Sequence, residues 1–217
     1  MLPLIICLSG IFAILVAEEI LYKQKILQGE YLRKFVHISA GAFIAFWPWL
    51  ISWRSIELIS LAMLIVVLVN QRAKTIHMSG DVTRYTYGGI LFPVGVLATA
   101  LLTNNKVFFA VAVLNMALAD GLAAVIGTAY GKRYSYKVFH QLKTVVGTMT
   151  FCYVSLIILG TGLLFAHEII PFNHYAILLA ALPPALAALE NFAVIGLDNV
   201  AVPVAVVLVL NLSQSIA

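Results

Sequence analysis

The sequence predicts an all-α protein: a polytopic bundle of about eight transmembrane helices in one domain over residues 1–217, with both termini outside. Three observations predict it. Hydrophobic residues make up 63% of the chain and charged residues only 10%, where a soluble domain carries about 25%; the mean hydropathy is +1.04. Apolar runs recur, each near the roughly 20 residues that a spanning helix needs. Lys and Arg gather in alternate loops. An open sheet cannot satisfy its backbone in lipid, so the spans are read as helices.

The first span, about 2–22, lacks a basic start and ends in Ala17-Glu18-Glu19, so it does not read as a cleavable signal. The others are expected near 33–51, 54–70, 87–103, 107–127, 147–166, 173–190 and 199–215. Lys23, Lys25, Arg33 and Lys34 lie before span two, Arg72, Lys74 and Arg84 before span four, and Lys132, Arg133, Lys137 and Lys143 before span six. The intervening loops hold little beyond Arg54 and Lys106. The positive-inside rule places the basic loops in the cytoplasm. Membrane topology and anionic headgroups account for the pI near 9.1 without any nucleic acid partner. Cys7 and Cys152 fall inside spans and read as reduced, buried thiols; no Cys spacing suits a metal. No repeat, low-complexity segment or linker divides the chain, and nothing in the residues specifies or forbids a homo-oligomer.

The remaining polar residues fall into four groups, all on the cytoplasmic side of this topology. Charge within a membrane protein is costly unless it faces a bundle interior or a wet cavity, so each group is a candidate site. Arg33, His37 and Gly41 share a helix face at i, i+4, i+8, with Lys34 beside them. Two cations and an imidazole suit phosphate; the plainer reading is a snorkelling basic collar around a core histidine. Asp120 lies in span five on a stripe of small residues, Ala119, Ala123, Gly127 and Gly131. Such a stripe is usually a helix-packing face, but packing has no use for a carboxylate. Asp120 suits a divalent cation or a lysine partner. Lys143-Thr144 with Gly147 opens span six without P-loop spacing, so phosphate there would rest on Lys charge, helix N-termini and free backbone N–H groups. Glu190 closes span seven and Asp198-Asn199 opens span eight. Pro183-Pro184 and Pro203 are expected to break their helices, as happens around intramembrane sites. Asp120, Glu190 and Asp198 facing one cavity would form a Mg²⁺ site. Tyr87-Gly88-Gly89 and Arg84 are weaker signals, and His77, His140, His167 and His174 read as loop residues.

In order and spacing these motifs resemble the dolichol kinase and phytol kinase family of CTP-dependent lipid kinases. The stretches are Glu30-Tyr31-Leu32-Arg33-Lys34-Phe35-Val36-His37 with Gly41; Asp120-Gly121-Leu122-Ala123-Ala124 with Gly127 and Gly131; Lys143-Thr144 with Gly147; and Glu190 with Asp198-Asn199 and Pro203. They cover residues from about 30 to 205. The nucleotide region is distantly similar to CDP-diacylglycerol synthases. The resemblance implies that CTP gives its γ-phosphate to a long-chain isoprenoid alcohol with Mg²⁺. Where relatives often carry a Glu before the glycine matching Gly147, this chain has Val146; a metal role for that Glu would fall here to Glu190 or Asp198.

The expected function is a CTP-dependent kinase of a membrane lipid alcohol, acting at the cytoplasmic face of the bilayer. Asp120, Glu190 and Asp198 are expected to hold the metal. Lys143, with Arg33 or Lys34, neutralises phosphate, and Gly127, Gly131, Thr144, Gly147 and Asn199 complete the nucleotide site. His37 or one of the acids takes the hydroxyl proton. The alternatives are a cytidylyltransferase making a CDP-lipid, a CTP-dependent diacylglycerol kinase, and a transporter of an anionic solute.

Overall fold

The computed structural model describes residues 1–73, 87–139, 141–166, 170 and 172–215. It is all-α, with helices at each of the predicted places. They are α1 (Leu2–Lys23), α2 (Gly29–Ile44), α3 (Trp53–Ala73), α4 (Gly88–Leu102), α5 (Lys106–Leu114), α6 (Asp120–Tyr130), α7 (Val145–Leu164), α8 (Phe172–Phe192) and α9 (Asp198–Ser215). A π-helical turn, Asn115–Ala119, joins α5 to α6, so Lys106–Tyr130 is one rod. Among the described residues, six helices are long and apolar enough to cross a membrane: α1, α3, the α5–α6 rod, α7, α8 and α9. Helix α4 is apolar but has only 15 residues, and α2, with 16, is less apolar, so of the eight expected spans six have the length and hydropathy to cross.

The rod is the centre of the bundle, 67% of its spanning window being buried against 11–39% for the other five. Helices α2, α7 and α9 pack on the rod; α8 bridges α7 and α9, α4 pairs with α9, α3 lies on α4, and α1 on α2. The rod's adjacent Phe108 and Phe109 point into separate apolar clusters. One cluster contains Phe151, Leu159, Leu182 and Val206; the other contains Ile44, Trp47, Phe92 and Val96. In lipid, helix association comes from close packing rather than from the hydrophobic effect, and the small residues supply it. A Cβ on Gly41 would lie 2.2 Å from the Ala117 Cβ, so α2 sits directly against the π turn.

Two expectations are corrected. The connection after α6 is not all loop: Ser135–Val138 (β1) pairs antiparallel with Gln141–Thr144 (β2). The prolines do not break their helices either. Pro183 and Pro184 lie inside continuous α8, and Pro203 inside continuous α9. Pro203 has no N–H to offer the Asn199 carbonyl four residues back. That carbonyl rests instead against Gly95 of α4, where an added Cβ would stand 1.9 Å from it. Among the described residues the irregular helical segments are the π turn, the 3₁₀ turn Trp47–Trp49 and the 3₁₀ turn Val194–Gly196, in which Ile195 takes a φ of 63°. Positive φ is a strained conformation for a β-branched residue.

Candidate metal and phosphate site

The site forms where α2, α7 and α9 begin and α8 ends, around Asp120 on the rod. Asp120 is ten residues before the end of α6, about 15 Å along the helix. Its neighbours reach that depth because of local turns. The Val194–Gly196 turn carries the chain from α8 into α9, with the Ile195 carbonyl accepting from Tyr87 N–H at 3.1 Å. Thr144 caps α7, its hydroxyl accepting from Gly147 N–H at 3.0 Å.

Asp120, Glu190 and Asp198 converge. Each offers one carboxylate oxygen, and these oxygens lie within 4.8 Å of one another. Asp120 and Glu190 are buried and Asp198 half-buried. Two lysines meet two of these acids. Lys34 Nζ donates to Asp120 Oδ2 at 2.5 Å, and both groups are buried. Lys143 Nζ is ion-paired with Glu190 and also lies 3.4 Å from the Glu190 carbonyl. Asp198 has no ion-pair partner among the described residues and accepts only from its neighbour's backbone, Asn199 N–H at 3.1 Å. Among the described residues two of the three acids are thus ion-paired to lysines, and Arg33 lies close enough to Asp120 and Asp198 to interact with both electrostatically. A half-buried carboxylate with no ion pair of its own, beside two others, is a strong attractor for a cation.

His37 completes the inner group. Its Nε2 is 2.9 Å from the Met116 carbonyl and 3.3 Å from Asp120 Oδ2. A carbonyl can only accept, so Nε2 carries the proton and donates. Any proton that His37 takes up must go to Nδ1. The π turn presents the Met116 carbonyl to it; single-turn π segments inside α-helices occur frequently at functional sites.

The sequence placed Arg33 with His37 and Gly41. The structure puts Lys34 there instead: Lys34, His37 and Gly41 face the rod at i, i+3, i+7. Arg33 turns to Glu30 on its own helix, with donor distances of 3.0 and 2.5 Å. Gly127, Gly131 and Gly147 surround Thr144 where α6 crosses α7. An added Cβ at Gly127 would lie 2.7 Å from Thr144 Oγ1, and one at Gly131 would lie 2.5 Å from it. The close approach implied by the small-residue stripe is present there. Asn199 is buried; its Nδ2 donates to the Gly196 carbonyl, and its Oδ1 has no partner among the described residues. Both cysteines are free, Cys7 buried and Cys152 half-buried. Arg84, His77, His140 and His167 lie outside the described residues, and His174, expected in a loop, lies instead in the first turn of α8.

Sequence reasoning does not reach three residues bordering the site. Tyr136, on β1, hydrogen-bonds to Thr148 of α7 and to Asn191 of α8. Nothing in an isolated Tyr, Thr and Asn announces such a cluster; it depends on the hairpin being present.

Fold and site together define an integral membrane α-helical protein with a buried acid–lysine centre at one end of its bundle. Over 197 residues the chain is 30% identical to the phytol kinase of Synechocystis sp., covering 88% of this chain and 82% of that protein. It belongs to the polyprenol and phytol kinase family, whose members are phosphotransferases with an alcohol as acceptor. No family model matches the chain, and no solved structure matches it.

Proposed function

We propose that this protein transfers the γ-phosphate of CTP to the hydroxyl of a long-chain isoprenoid alcohol at the cytoplasmic face of its membrane. The observation that carries the reading is the convergence of Asp120, Glu190 and Asp198 beside Lys34 and Lys143. Phosphoryl transfer needs positioning and charge neutralisation more than covalent chemistry, and these are the groups for both.

The three acids fit Mg²⁺. They are hard oxygen donors brought close together, two buried and Asp198 half-buried, with Asp198 in no ion pair among the described residues. Mg²⁺ held by them would neutralise charge on the nucleotide phosphates. Lys34 and Lys143, each now on a carboxylate, would turn to phosphate oxygens when the nucleotide binds, while the acids hold the cation. His37 orients Asp120 through Nε2 and offers Nδ1 to the acceptor proton. The donor's identity as CTP, and an isoprenoid acceptor, follow the family and the phytol kinase relative. The cytoplasmic orientation follows the basic residues at the site end of the bundle, Lys23, Lys25, Lys132, Arg133 and Lys137, against Arg54 and Lys106 at the other.

A cytidylyltransferase would need a further cation for its acidic lipid nucleophile. The kinase is favoured because the stretches Arg33 to His37 and Asp198-Asn199 match the lipid-alcohol kinases better than the cytidylyltransferases. The test is an assay of purified protein with γ-labelled CTP, Mg²⁺ and a panel of phytol, geranylgeraniol, polyprenol and diacylglycerol. Label is expected in an isoprenoid monophosphate. Label in diacylglycerol alone, or in none of the four, would overturn the proposal.

A further inference from the structure

The β1–β2 hairpin has little packing to hold it. Tyr134, Phe139 and Leu142 are all well exposed. Yet it carries Lys143, whose ammonium must sit at a fixed place to serve the site. Tyr136 and Lys143 are directly paired across the two strands, so their side chains leave the same face. Lys143 reaches Glu190. Tyr136 reaches the next residue, Asn191, its hydroxyl 2.9 Å from Oδ1. Asn191 Nδ2 lies 3.2 Å from Thr148 Oγ1, and Thr148 is in turn hydrogen-bonded to the Tyr136 hydroxyl. One proton assignment satisfies all three side chains in a closed ring. Tyr136 donates to Asn191 Oδ1, Asn191 Nδ2 donates to Thr148, and Thr148 donates back to the Tyr136 oxygen. The hairpin is thus clamped to two consecutive residues at the end of α8, once by charge and once by this ring.

We infer that Tyr136, supported by Thr148 and Asn191, is a positioning residue that holds the Lys143 ammonium over Glu190 and thereby sets nucleotide affinity; the nucleotide part of this rests on the function proposed above. Tyr136 acts through Lys143 and touches neither nucleotide nor lipid. Without the ring the hairpin keeps its strand pairing, but Lys143 samples positions away from the acids.

The experiment compares wild type, Tyr136→Phe, Lys143→Met and the double variant in detergent. The first readout needs no activity: the rate at which Lys143 is acetylated by an amine-reactive reagent, followed by mass spectrometry. Tyr136→Phe is expected to raise that rate about fivefold to tenfold, the scale of one hydrogen bond's net contribution, while buried Lys34 and exposed Lys137 keep theirs. The second readout is kinetic. Tyr136→Phe is expected to raise the KM for CTP by a similar factor and leave the KM for the lipid alcohol alone. In the Lys143→Met background it is expected to add nothing. An unchanged Lys143 rate, a parallel rise at Lys34, or additive losses in the double variant would each overturn the inference. Wild-type protein that transfers no phosphate would instead count against the proposed function, leaving the acetylation readout to decide the clamp.

Discussion

Lys34 and Asp120 stand 86 positions apart in the chain, and their side chains meet at 2.5 Å between Nζ and Oδ2. The pair joins the start of α2 to the middle of the central rod. It is buried on both sides, so neither charge can be removed alone without leaving the other stranded. Asp120→Asn is therefore expected to destabilise the protein by about 3–5 kcal/mol as well as abolish turnover. Lys34→Met with Asp120→Asn is expected to regain much of that stability and none of the activity. Thermal melting beside a turnover assay checks both. A singly substituted Asp120→Asn that melts like wild type would contradict the pairing.

Asp198 is the cleaner probe of the cation site, because among the described residues it has no ion-pair partner to strand. Asp198→Asn is expected to lower kcat by ~10²-fold or more, roughly 3 kcal/mol of barrier, with little change in melting temperature. Near-normal turnover in that variant would take Asp198 out of the site.

Metal and nucleotide are expected to act together on stability. Mg²⁺ with CTP at about 100 times its Kd stabilises a folded protein by roughly 2.7 kcal/mol, which a melting shift detects. Chelation by EDTA is expected to cancel the shift, and Asp198→Asn to lack it. A full shift from CTP in EDTA would show nucleotide held without the acids' cation.

Gly95 offers a test remote from the chemistry. An added methyl would meet the Asn199 carbonyl at 1.9 Å and push the start of α9, with Asp198, out of place. Gly95→Ala is expected to cost about 1–3 kcal/mol and most of the activity. Gly89→Ala, six residues earlier on α4, meets nothing nearer than Val67 at 3.8 Å and is expected to stay active. Equal activity in the two variants would mean that α4 does not position Asp198.

Much of this was legible in the sequence, for physical reasons that differ by element. Apolar run length located the helices, since spanning lipid demands it. The cost of intramembrane charge singled out Asp120, Glu190 and Asp198, and the structure brings them together. Lys34 is separated from Arg33 by only about 100° of helix rotation, too little for an i, i+4, i+8 face to distinguish the two. The π turn left no trace, because the hydrogen-bond register of a helix through Asn115-Met116-Ala117-Leu118-Ala119 does not alter its composition. The hairpin strands are four residues each, too short for alternation to stand out in a basic connection. Pro203 was expected to break α9; its freed acceptor is instead accommodated against Gly95.

The most direct measurement of the central claim is the position of the phosphorus that moves. Purified protein is given a mixture of α-labelled and γ-labelled CTP with Mg²⁺ and an isoprenoid alcohol, and both labels are counted in the extracted lipid. A kinase centred on Asp120, Glu190 and Asp198 is expected to place γ-label alone in a lipid monophosphate and to release CDP. Incorporation of α-label into lipid, with release of pyrophosphate, would contradict the account.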